Sequence, residues 1–391
     1  MSALLWGVAG VLLALIWTVR LTQAALGLRS IPNLTQPEWT PAVTATPLPR
    51  VSIIVPARNE EQGIEPALAS LVALDYSNYE IIAVNDRSTD RTGEILDRFA
   101  ATHHGKVHAI HVAALPSEWL GKPHAMSKGA EQATGKWLLF TDADVVFRPD
   151  TLSRSLSAAE KSGADHFVLF PTMLMKTWDE RVVGAFFQCM FVLSWGHSPW
   201  RVHDQKARDY LGVGAFNLIR RSTLAAIGSL SALRMEVIED MKLGKLVKQH
   251  GFTQRVAFGP GLVNIHWARG ALGMVRNLTK NFFALMQYRW HLSLAAVAGL
   301  LLLNLAPFVG VVIAPGWSRV GYGLALSCIA AMYVGMRRYS PISPFYFFLH
   351  PAGACLIAYS ILRSTFVTLW RGGVVWRGTT YPLKALRRGT V

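Results

Sequence analysis

The chain has 391 residues, of which 51% are hydrophobic and only 16% are charged, whereas about a quarter of the residues in soluble domains are charged. This composition argues against a protein that is soluble throughout. Lys and Arg outnumber Asp and Glu by 39 to 24, which gives a formal net charge of +15. The three cysteines, Cys189, Cys328 and Cys355, lie far apart without CxxC spacing, which argues against a disulfide framework or a zinc site.

The basic residues flank apolar runs. Arg20 and Arg29 follow the first run, and Arg276 and Arg289 precede the next one. Flanking charges of this kind favour a membrane surface as the partner. No RNA-binding signature or zinc-finger spacing accompanies them, so we expect no nucleic-acid partner.

The first predicted element is an uncharged apolar run over Ala3–Val19. We expect residues 1–22 to form an uncleaved transmembrane anchor, because the basic residues follow the run instead of preceding it. By the positive-inside rule, the chain beyond the anchor faces the cytoplasm. Residues 23–50 are predicted to be an extended linker, and five prolines support this: Pro32, Pro37, Pro41, Pro47 and Pro49.

Residues 51–290 alternate short β-branched runs with amphipathic stretches. The predicted strands are Val51–Val55, Glu80–Asn85, Val107–His111, Trp137–Thr141 and His166–Phe170. The predicted helices include Glu65–Leu74, Thr92–His103 and Ala125–Ala133. This alternation predicts an α/β domain with a doubly wound, mostly parallel sheet, in which ligands bind beyond the carboxyl ends of the strands.

Residues 291–370 are predicted to be a second membrane region. Leu292–Ala314 and Val320–Met336 are long enough to span a bilayer, and Phe345–Trp370 is a third candidate that Pro351 and Arg363 interrupt. If all three span, the basic tail at 371–391 lies outside. A re-entrant or interfacial last segment would keep the tail inside, and we favour a cytoplasmic tail because of its basic residues.

Acidic residues follow three of the predicted strands. The sequence Pro-Ala-Arg-Asn-Glu follows the first strand, Asn-Asp-Arg-Ser-Thr-Asp ends the second, and Thr-Asp-Ala-Asp ends the fourth. Tips of parallel strands meet at one edge of a sheet, and a negative cluster there is costly unless a cation or hydrogen-bond donors offset it.

Asp142 and Asp144 are two residues apart at such a tip. Carboxylates in this arrangement suit a hard divalent ion, Mg²⁺ or Mn²⁺, which would bridge a diphosphate and stabilise it as a leaving group. The alternative is that they only cap a loop or the helix after Pro149. Asp86, at a second tip, favours the metal site but could itself serve a turn, and Asp90 is better explained as a helix cap.

Two further groups complete the candidate site. Lys122 precedes a predicted helix, where a cation can meet phosphate oxygens, although an exposed lysine is often only solvated. Glu239 and Asp240 begin another helix. Their charge favours a helix N-terminus, but a transfer to a hydroxyl also needs a base, and Asp240 is the best candidate in this half of the chain.

Together these motifs resemble family 2 of the inverting glycosyltransferases, which have a GT-A fold. The matching motifs are VSIIVPARNE (51–60), AVNDRSTD (83–90), GKPHAMSKG (121–129), TDAD (141–144) and Glu239-Asp240. The resemblance implies that the nucleotide base and ribose of a UDP- or GDP-sugar contact four residues: Pro56, Arg58, Glu60 and Asp86. It also implies that Lys122 contacts the diphosphate, that Asp142 lies near the nucleotide and that Asp144 holds the metal. Asp240 would be the base, with Glu239 beside it.

One departure concerns the acceptor side. Processive members of the family carry a Q-x-x-R-W signature before a membrane segment. Arg289 and Trp290 match its end and are predicted acceptor-site residues, but Met286 stands where glutamine is expected and Gln287 is one residue too close. The mismatch weakens the case for a processive enzyme.

The layout of one anchor, a catalytic domain and a few further spans resembles bacterial enzymes that glycosylate lipids of the ceramide, hopanoid or carotenoid type. The Trp376-to-Tyr381 motif shares this resemblance. We therefore expect a multi-pass enzyme of the cell membrane, with a cytoplasmic catalytic domain and a lipid acceptor. A processive polysaccharide synthase and a catalytically silent nucleotide-sugar-binding protein remain as alternatives. No G-x-G-x-x-G turn supports a dinucleotide-dependent oxidoreductase.

Overall fold

The computed structural model describes residues 3–40, 49–192 and 196–391, and the chain forms two compact units. The helical unit comprises Met1–Ser30, Met175–Ser198 and Trp267–Val375, and the sheet unit comprises Ile31–Leu174, Pro199–His266 and Trp376–Val391. Residues 175–198 and 267–290, which we expected in the catalytic domain, thus belong to the helical unit. Within the predicted linker, Pro41 and Pro47 lie outside the described residues.

Helices and strands follow each other in an α/β pattern. The strands are β1 (Val51–Ala57), β2 (Tyr79–Asp86), β3 (Val107–Val112), β4 (Trp137–Phe140), β5 (Val146–Phe147), β6 (His166–Phe170), β7 (Thr172–Met173), β8 (Asn217–Arg220), β9 (Gln254–Phe258), β10 (Val263–Ile265), β11 (Gly373–Trp376) and β12 (Thr379–Pro382). The α-helices are α1 (Ala3–Gly27), α2 (Ile64–Val72), α3 (Thr92–Thr102), α4 (Gly121–Gln132), α5 (Thr151–Lys161), α6 (Trp178–Val192), α7 (Arg221–Ala226), α8 (Glu239–Gln249), α9 (Gly270–Leu278), α10 (Phe282–Leu285), α11 (Trp290–Ile313), α12 (Arg319–Met336), α13 (His350–Trp370) and α14 (Leu383–Arg388).

The central sheet has seven strands in the order β3-β2-β1-β4-β8-β6-β9. All neighbours pair in parallel except β8, which runs antiparallel to both β4 and β6. The predicted α/β class and the five predicted strands are therefore confirmed. The sequence pattern did not predict β8 or β9. A smaller sheet has the order β5-β10-β7.

The core lies on both faces of the central sheet. Ile53 and Ile54 are consecutive residues of β1, so they point to opposite faces, yet both are fully buried. Ile53 packs with Leu68 of α2, and Ile54 packs with Ala125 and other residues on the opposite face. Burying one such side chain stabilises the fold by about 1.5–3 kcal/mol. This two-sided core fixes the strands and leaves the loops at their carboxyl ends to form a site.

Four helical segments are long and apolar enough to cross a membrane: Ala3–Ser30, Trp290–Ile313, Gly316–Met336 and Pro344–Trp370. All four belong to the helical unit. This agrees with membrane segments near both ends of the chain.

Contacts between these helices define their directions. The Trp17 indole of α1 donates a hydrogen bond to the Leu303 carbonyl of α11 (2.9 Å), and Tyr322 of α12 lies against both Gly10 and Gly310. Because residue numbers rise along α1 as they fall along α11, the two helices are antiparallel. α12 runs in the same direction as α1, because Tyr322 lies beside Gly10 and Cys328 lies beside Thr18 (3.6 Å).

The last long helix, α13, is also antiparallel to α11 but starts part of the way along it. His350, its first residue, hydrogen-bonds Asn304 (3.0 Å) and Tyr333 (3.0 Å), and Thr365 donates to Ser293 near the start of α11 (2.8 Å). The chain between α12 and α13 therefore returns into the helical unit before α13 begins.

Candidate active site

Three neighbouring parallel strands end at one edge of the central sheet. Pro56 of β1 lies in register with Val84, two residues before Asp86 at the end of β2. Asp142 follows β4, the other neighbour of β1. The predicted strand-tip residues therefore share the carboxyl edge of the sheet, where ligands of doubly wound folds bind.

Asp86 lies in a basic pocket at this edge and is almost fully buried. Arg87 makes a two-pronged ion pair with its carboxylate, with Nε 2.7 Å from Oδ1 and Nη2 3.0 Å from Oδ2. The Arg58 guanidinium lies 3.8 Å away, and its buried Nε has no hydrogen-bond partner in the described part of the chain. A buried donor without a partner is costly, so the pocket is suited to a ligand that would accept this hydrogen bond.

Gly121, the first residue of α4, closes this pocket. A Cβ atom at this position would stand 2.4 Å from Oδ2 of Asp86, so only glycine allows this approach. The next residue, Lys122, is thereby placed beside the carboxylates that follow β4.

Lys122 is surrounded by acidic side chains. Its Nζ atom lies 2.5 Å from Oδ1 of Asp142 and 2.6 Å from Oε1 of Glu239. Burial alone would lower the pKa of Lys122, but the charges of Asp142, Glu239 and Asp240 outweigh that effect and raise its pKa above the usual range. The lysine is therefore a permanent cation that links the tip of β4 to the start of α8.

Asp240 faces the same cleft from the start of α8. Its Oδ2 atom accepts a hydrogen bond from the Gly214 amide (2.9 Å), and its Oδ1 atom accepts one from the Met241 amide (2.8 Å). Burial, together with the charge of Glu239, raises the pKa of Asp240 to about 6, although Lys122 acts in the opposite direction. A carboxylate with a raised pKa near neutrality is a better proton acceptor than an ordinary aspartate.

Asp144 lies at the open side of the edge and is exposed to solvent. Neighbouring protein atoms reduce the hydration of the Asp144 carboxyl group although the residue as a whole is exposed. This desolvation, together with the charges of Asp142 and Glu60, raises the pKa of Asp144 to about 6. Gly63 packs against it, since a Cβ atom at Gly63 would lie 3.0 Å from the Cβ atom of Asp144. The neighbouring carboxylates thus disfavour a negative charge at Asp144, and a cation beside it would offset this repulsion.

These carboxylates do not form a complete metal cage by themselves. Across residues 3–40, 49–192 and 196–391, no group of three His, Cys, Asp or Glu side chains is arranged to hold a metal ion. Mg²⁺ in nucleotide sites commonly uses only one or two carboxylates and takes its other ligands from phosphates and water. Asp144 fits that kind of site, because it is an exposed carboxylate beside two others.

Glu60 and Asp90 hold the loops after β1 and β2 together. The Glu60 amide donates to Thr92 (2.8 Å), and Asp90 accepts hydrogen bonds from the amides of Glu61 (3.1 Å) and Thr92 (3.0 Å). Asp90 thus accepts from the amide two residues further on, as in an Asx-turn, and it does not occupy the predicted helix-cap position, because the N-cap of α3 is Arg91.

Sequence reasoning missed the loop that positions Asp240. A Cβ atom at Gly212 would lie 1.7 Å from the Asp240 carbonyl oxygen, and one at Gly214 would lie 2.6 Å from Oδ2 of Asp142. Buried Gln254 holds the residue before this loop, since it accepts from the Leu211 amide (3.0 Å) and donates to the Leu211 carbonyl (2.7 Å). The Gly-x-Gly spacing before a strand was the available signal.

Sequence reasoning also missed Arg377, which lies near the tip of β1. The Arg377 guanidinium donates to the Glu60 carboxylate and to the Arg58 carbonyl. The signal was the Trp376-to-Tyr381 motif, which we had connected with lipid glycosyltransferases but not with any site.

The predicted acceptor residues belong to the helical unit. Arg289 immediately precedes α11, and Trp290 is its first residue and is 56% exposed. The two residues before them, Gln287 and Tyr288, have positive φ values of 52° and 57°.

Known proteins are similar to this chain in sequence. Residues 52–242 match the model for glycosyl transferase family 2. The 4,4'-diaponeurosporenoate glycosyltransferase of Staphylococcus aureus is 23% identical over 345 residues, which are 85% of this chain and 88% of the relative. The poly-beta-1,6-N-acetyl-D-glucosamine synthase of Staphylococcus epidermidis is 32% identical over 100 residues, 26% of this chain and 23% of the relative.

A solved structure is similar over nearly the whole chain. The mannosyltransferase of Pyrobaculum calidifontis, solved with GDP-Man and Mn²⁺, covers 94% of this chain and 99% of its own, with a TM-score of 0.53 and 18% identity. At this identity the likeness supports the fold. The fold and the matches define a glycosyltransferase with a GT-A-like sheet. Residues 52–242 thus carry a glycosyl transferase family 2 domain.

Proposed function

We propose that the protein transfers a sugar from a UDP- or GDP-sugar to a lipid acceptor, with inversion at the anomeric carbon and Asp240 as the base. The observation that carries this proposal is the position of Asp240, a carboxylate of raised pKa at the same edge as the Lys122 ion pairs. Such a group accepts a proton at neutral pH, which an acceptor hydroxyl must lose as it attacks.

In this mechanism the donor lies along the carboxyl edge of the sheet. Arg58 has a buried Nε that needs an acceptor, which supports a role for it beside Pro56, Glu60 and Asp86 in holding the nucleotide. Asp142 and Lys122 lie further along the same edge, near the expected diphosphate. A cation at this point favours the negative charge that develops on the leaving diphosphate.

Asp144 would hold Mg²⁺ or Mn²⁺. When bound, the ion supplies positive charge to the diphosphate and so makes it a better leaving group. The acceptor oxygen attacks the anomeric carbon, Asp240 takes the proton, and the bond from the anomeric carbon to the diphosphate oxygen breaks with its electrons going to the diphosphate. A single displacement of this kind inverts the anomeric centre.

The lipid acceptor and the membrane location are supported by the helical unit. The Staphylococcus aureus relative is named for a carotenoid-type substrate, and its similarity extends over most of this chain.

α1, α12 and α13 all run toward the end of the helical unit at which α11 begins. Basic residues concentrate at this end: Arg29, Arg289, Arg337, Arg338 and Arg371. By the positive-inside rule this end is cytoplasmic, so the chain passes to the sheet unit on the cytoplasmic side of the cell membrane. Arg289 and Trp290, at the start of α11, would meet the acceptor there.

The test uses the full chain in detergent with Mn²⁺, extracted bacterial lipids as acceptors, and UDP- and GDP-sugars as donors. We expect one donor to yield a glycolipid of defined mass, with the anomeric configuration opposite to that of the donor. Asp240→Asn should lower the transfer rate by about 10²- to 10⁴-fold and leave nucleotide binding in place.

Asp97→Asn is the matched control, because Asp97 is an exposed carboxylate on α3. It should keep the activity of the native chain. Absence of transfer from every donor, or an Asp240→Asn variant as active as the native chain, would refute the proposal. A polymer formed from donor alone would identify a processive synthase instead.

A further inference from the structure

Residues 376–391 fold against the sheet unit instead of forming a free tail. Leu386 of α14 is fully buried, and Gly389 packs so closely on Met235 that a Cβ atom would lie 2.3 Å from that side chain. Lys242 and Lys245 of α8 both donate hydrogen bonds to the Val391 carbonyl, at 2.6 and 2.7 Å. The segment therefore has a defined position relative to α8.

The turn between β11 and β12 carries an unusual residue. Arg377 and Gly378 both have positive φ, 47° and 78°. Two-residue turns of this kind favour Asn, Asp or Gly at both positions, because other side chains are strained there. The turn itself thus gives no reason for an arginine at position 377.

The contacts of Arg377 supply a reason. Its guanidinium bonds the Glu60 carboxylate and the Arg58 carbonyl, both at the tip of β1, while its side chain stays 40% exposed. A few residues on, the Tyr381 hydroxyl accepts a hydrogen bond from the Gly121 amide (3.2 Å). The segment thus reaches from the tip of β1 to the start of α4, and Gly121 borders Asp86.

Glu60 lies close enough to Asp144, the residue proposed to hold the metal ion at the donor diphosphate, to interact with its charge. The Gly63 amide donates to the Glu60 carbonyl (3.0 Å), and Gly63 packs directly against Asp144. Glu60, which pairs with Arg377, is therefore connected through the short turn at Gly63 to Asp144, the residue proposed to hold the metal.

We propose that Arg377 is a donor-binding residue whose guanidinium pairs with Glu60 in the free enzyme and with the donor diphosphate in the complex. Arginine matches phosphate oxygens through two parallel hydrogen bonds, and an arginine at an exposed turn can change partners by rotating its side chain. The inference rests on the proposed function, since it requires the donor at this edge of the sheet.

The experiment measures inhibition of sugar transfer by UDP and by uridine, or by GDP and guanosine if the donor is a GDP-sugar. The full chain in detergent with Mn²⁺ is compared with Arg377→Asn, which removes the guanidinium and suits the turn better than arginine does. Arg388→Ala is the control, because Arg388 is an exposed arginine of the same segment.

We expect Arg377→Asn to raise the inhibition constant of the diphosphate about 10- to 100-fold, as loss of a charge-assisted hydrogen bond would, and to leave that of the nucleoside unchanged. The KM for the donor should rise more than kcat falls, and Arg377→Lys should recover part of the loss. Arg388→Ala should behave as the native chain.

An unchanged diphosphate constant would overturn the inference, and so would an equal rise for diphosphate and nucleoside, which would indicate a structural role. If neither diphosphate inhibits the native chain, the donor site itself is misplaced and the proposed function fails. That outcome is distinct from failure of Arg377 alone.

Discussion

Replacing Lys122 with methionine tests the electrostatic design of the site directly. The substitution keeps most of the side-chain length but removes the cation that lies 2.5 Å from Asp142 and 2.6 Å from Glu239. The variant leaves both carboxylates and the neighbouring Asp240 without their shared partner. We expect a loss of stability that depends on pH.

The magnitude follows from the exposure of the three side chains. Removing one member of a buried ion pair costs about 3–5 kcal/mol, whereas exposed pairs contribute about 0–1 kcal/mol. The exposed fractions are 21% for Lys122, 4% for Glu239 and 40% for Asp142, so the network lies between these limits. We expect a loss of about 2–3 kcal/mol at pH 8, which lowers the Tm of a unit of this size by roughly 4–12 °C.

The sign of the pH dependence follows from linkage. In the variant, the folded-state pKa of Asp240, which burial already raises, rises further, because the lysine no longer favours the charged form. A carboxyl group with a raised folded-state pKa destabilises the fold increasingly as pH rises from the unfolded to the folded value. The deficit should therefore be large at pH 8 and small at pH 5.

The assay is a thermal melt of the full chain in detergent, followed by tryptophan fluorescence at several pH values between 5 and 8. Lys128→Met is the matched control, because Lys128 lies on the same helix and pairs with Glu131 at the surface (2.8 Å). The control should change the Tm little at any pH. If Lys122→Met melts like the control at pH 8, or if its deficit is the same at pH 5, the proposed pairing is wrong.

Two further predictions concern Asp240. The pKa of Asp240 is raised to about 6, and a base must be deprotonated to act, so kcat/KM should fall as the pH drops through about 6. A pH profile of the transfer rate measures this decrease. A rate that stays constant down to about pH 4.5 would exclude Asp240 as the base. Gly212→Ala places a methyl group 1.7 Å from the Asp240 carbonyl and should lower transfer at least about 100-fold through a displaced α8 start. Gly323→Ala, where the space around the glycine is open, should keep full activity in the same assay, and equal rates for the two variants would contradict the argument.

The strand tips could be predicted because they depend on local pattern. Short β-branched runs such as Val51–Val55 and His166–Phe170 have the length and composition of buried strands, and an acidic residue directly after such a run must lie at a sheet edge. The structure confirms these strands, and Asp86 and Asp142 lie at the edge as expected.

Pairings between distant segments could not be predicted in the same way. Lys122 was expected at the diphosphate, but its two carboxylate partners come from positions 142 and 239. The antiparallel β8 separates β4 from β6 and brings the Gly-x-Gly loop to Asp240, and no periodic signal specifies such an insertion. Arg377 is more than 300 residues from its partner Glu60, so only the folded chain relates them.

The distribution of charge at the site bears on why a metal should be needed. Lys122, Arg87 and Arg377 each already pair with a carboxylate, at Asp142, Asp86 and Glu60 respectively. A diphosphate that enters this edge adds negative charge beside acidic groups whose cations are shared, so binding requires either a change of partners or a cation from solution. If Arg377 changes partners, it supplies one positive charge. This is less than the negative charge of a diphosphate and Asp144 together. We therefore expect Mn²⁺ or Mg²⁺ to strengthen diphosphate binding far more than nucleoside binding. An equal effect of the ion on both would show that the edge accommodates the diphosphate with its own cations.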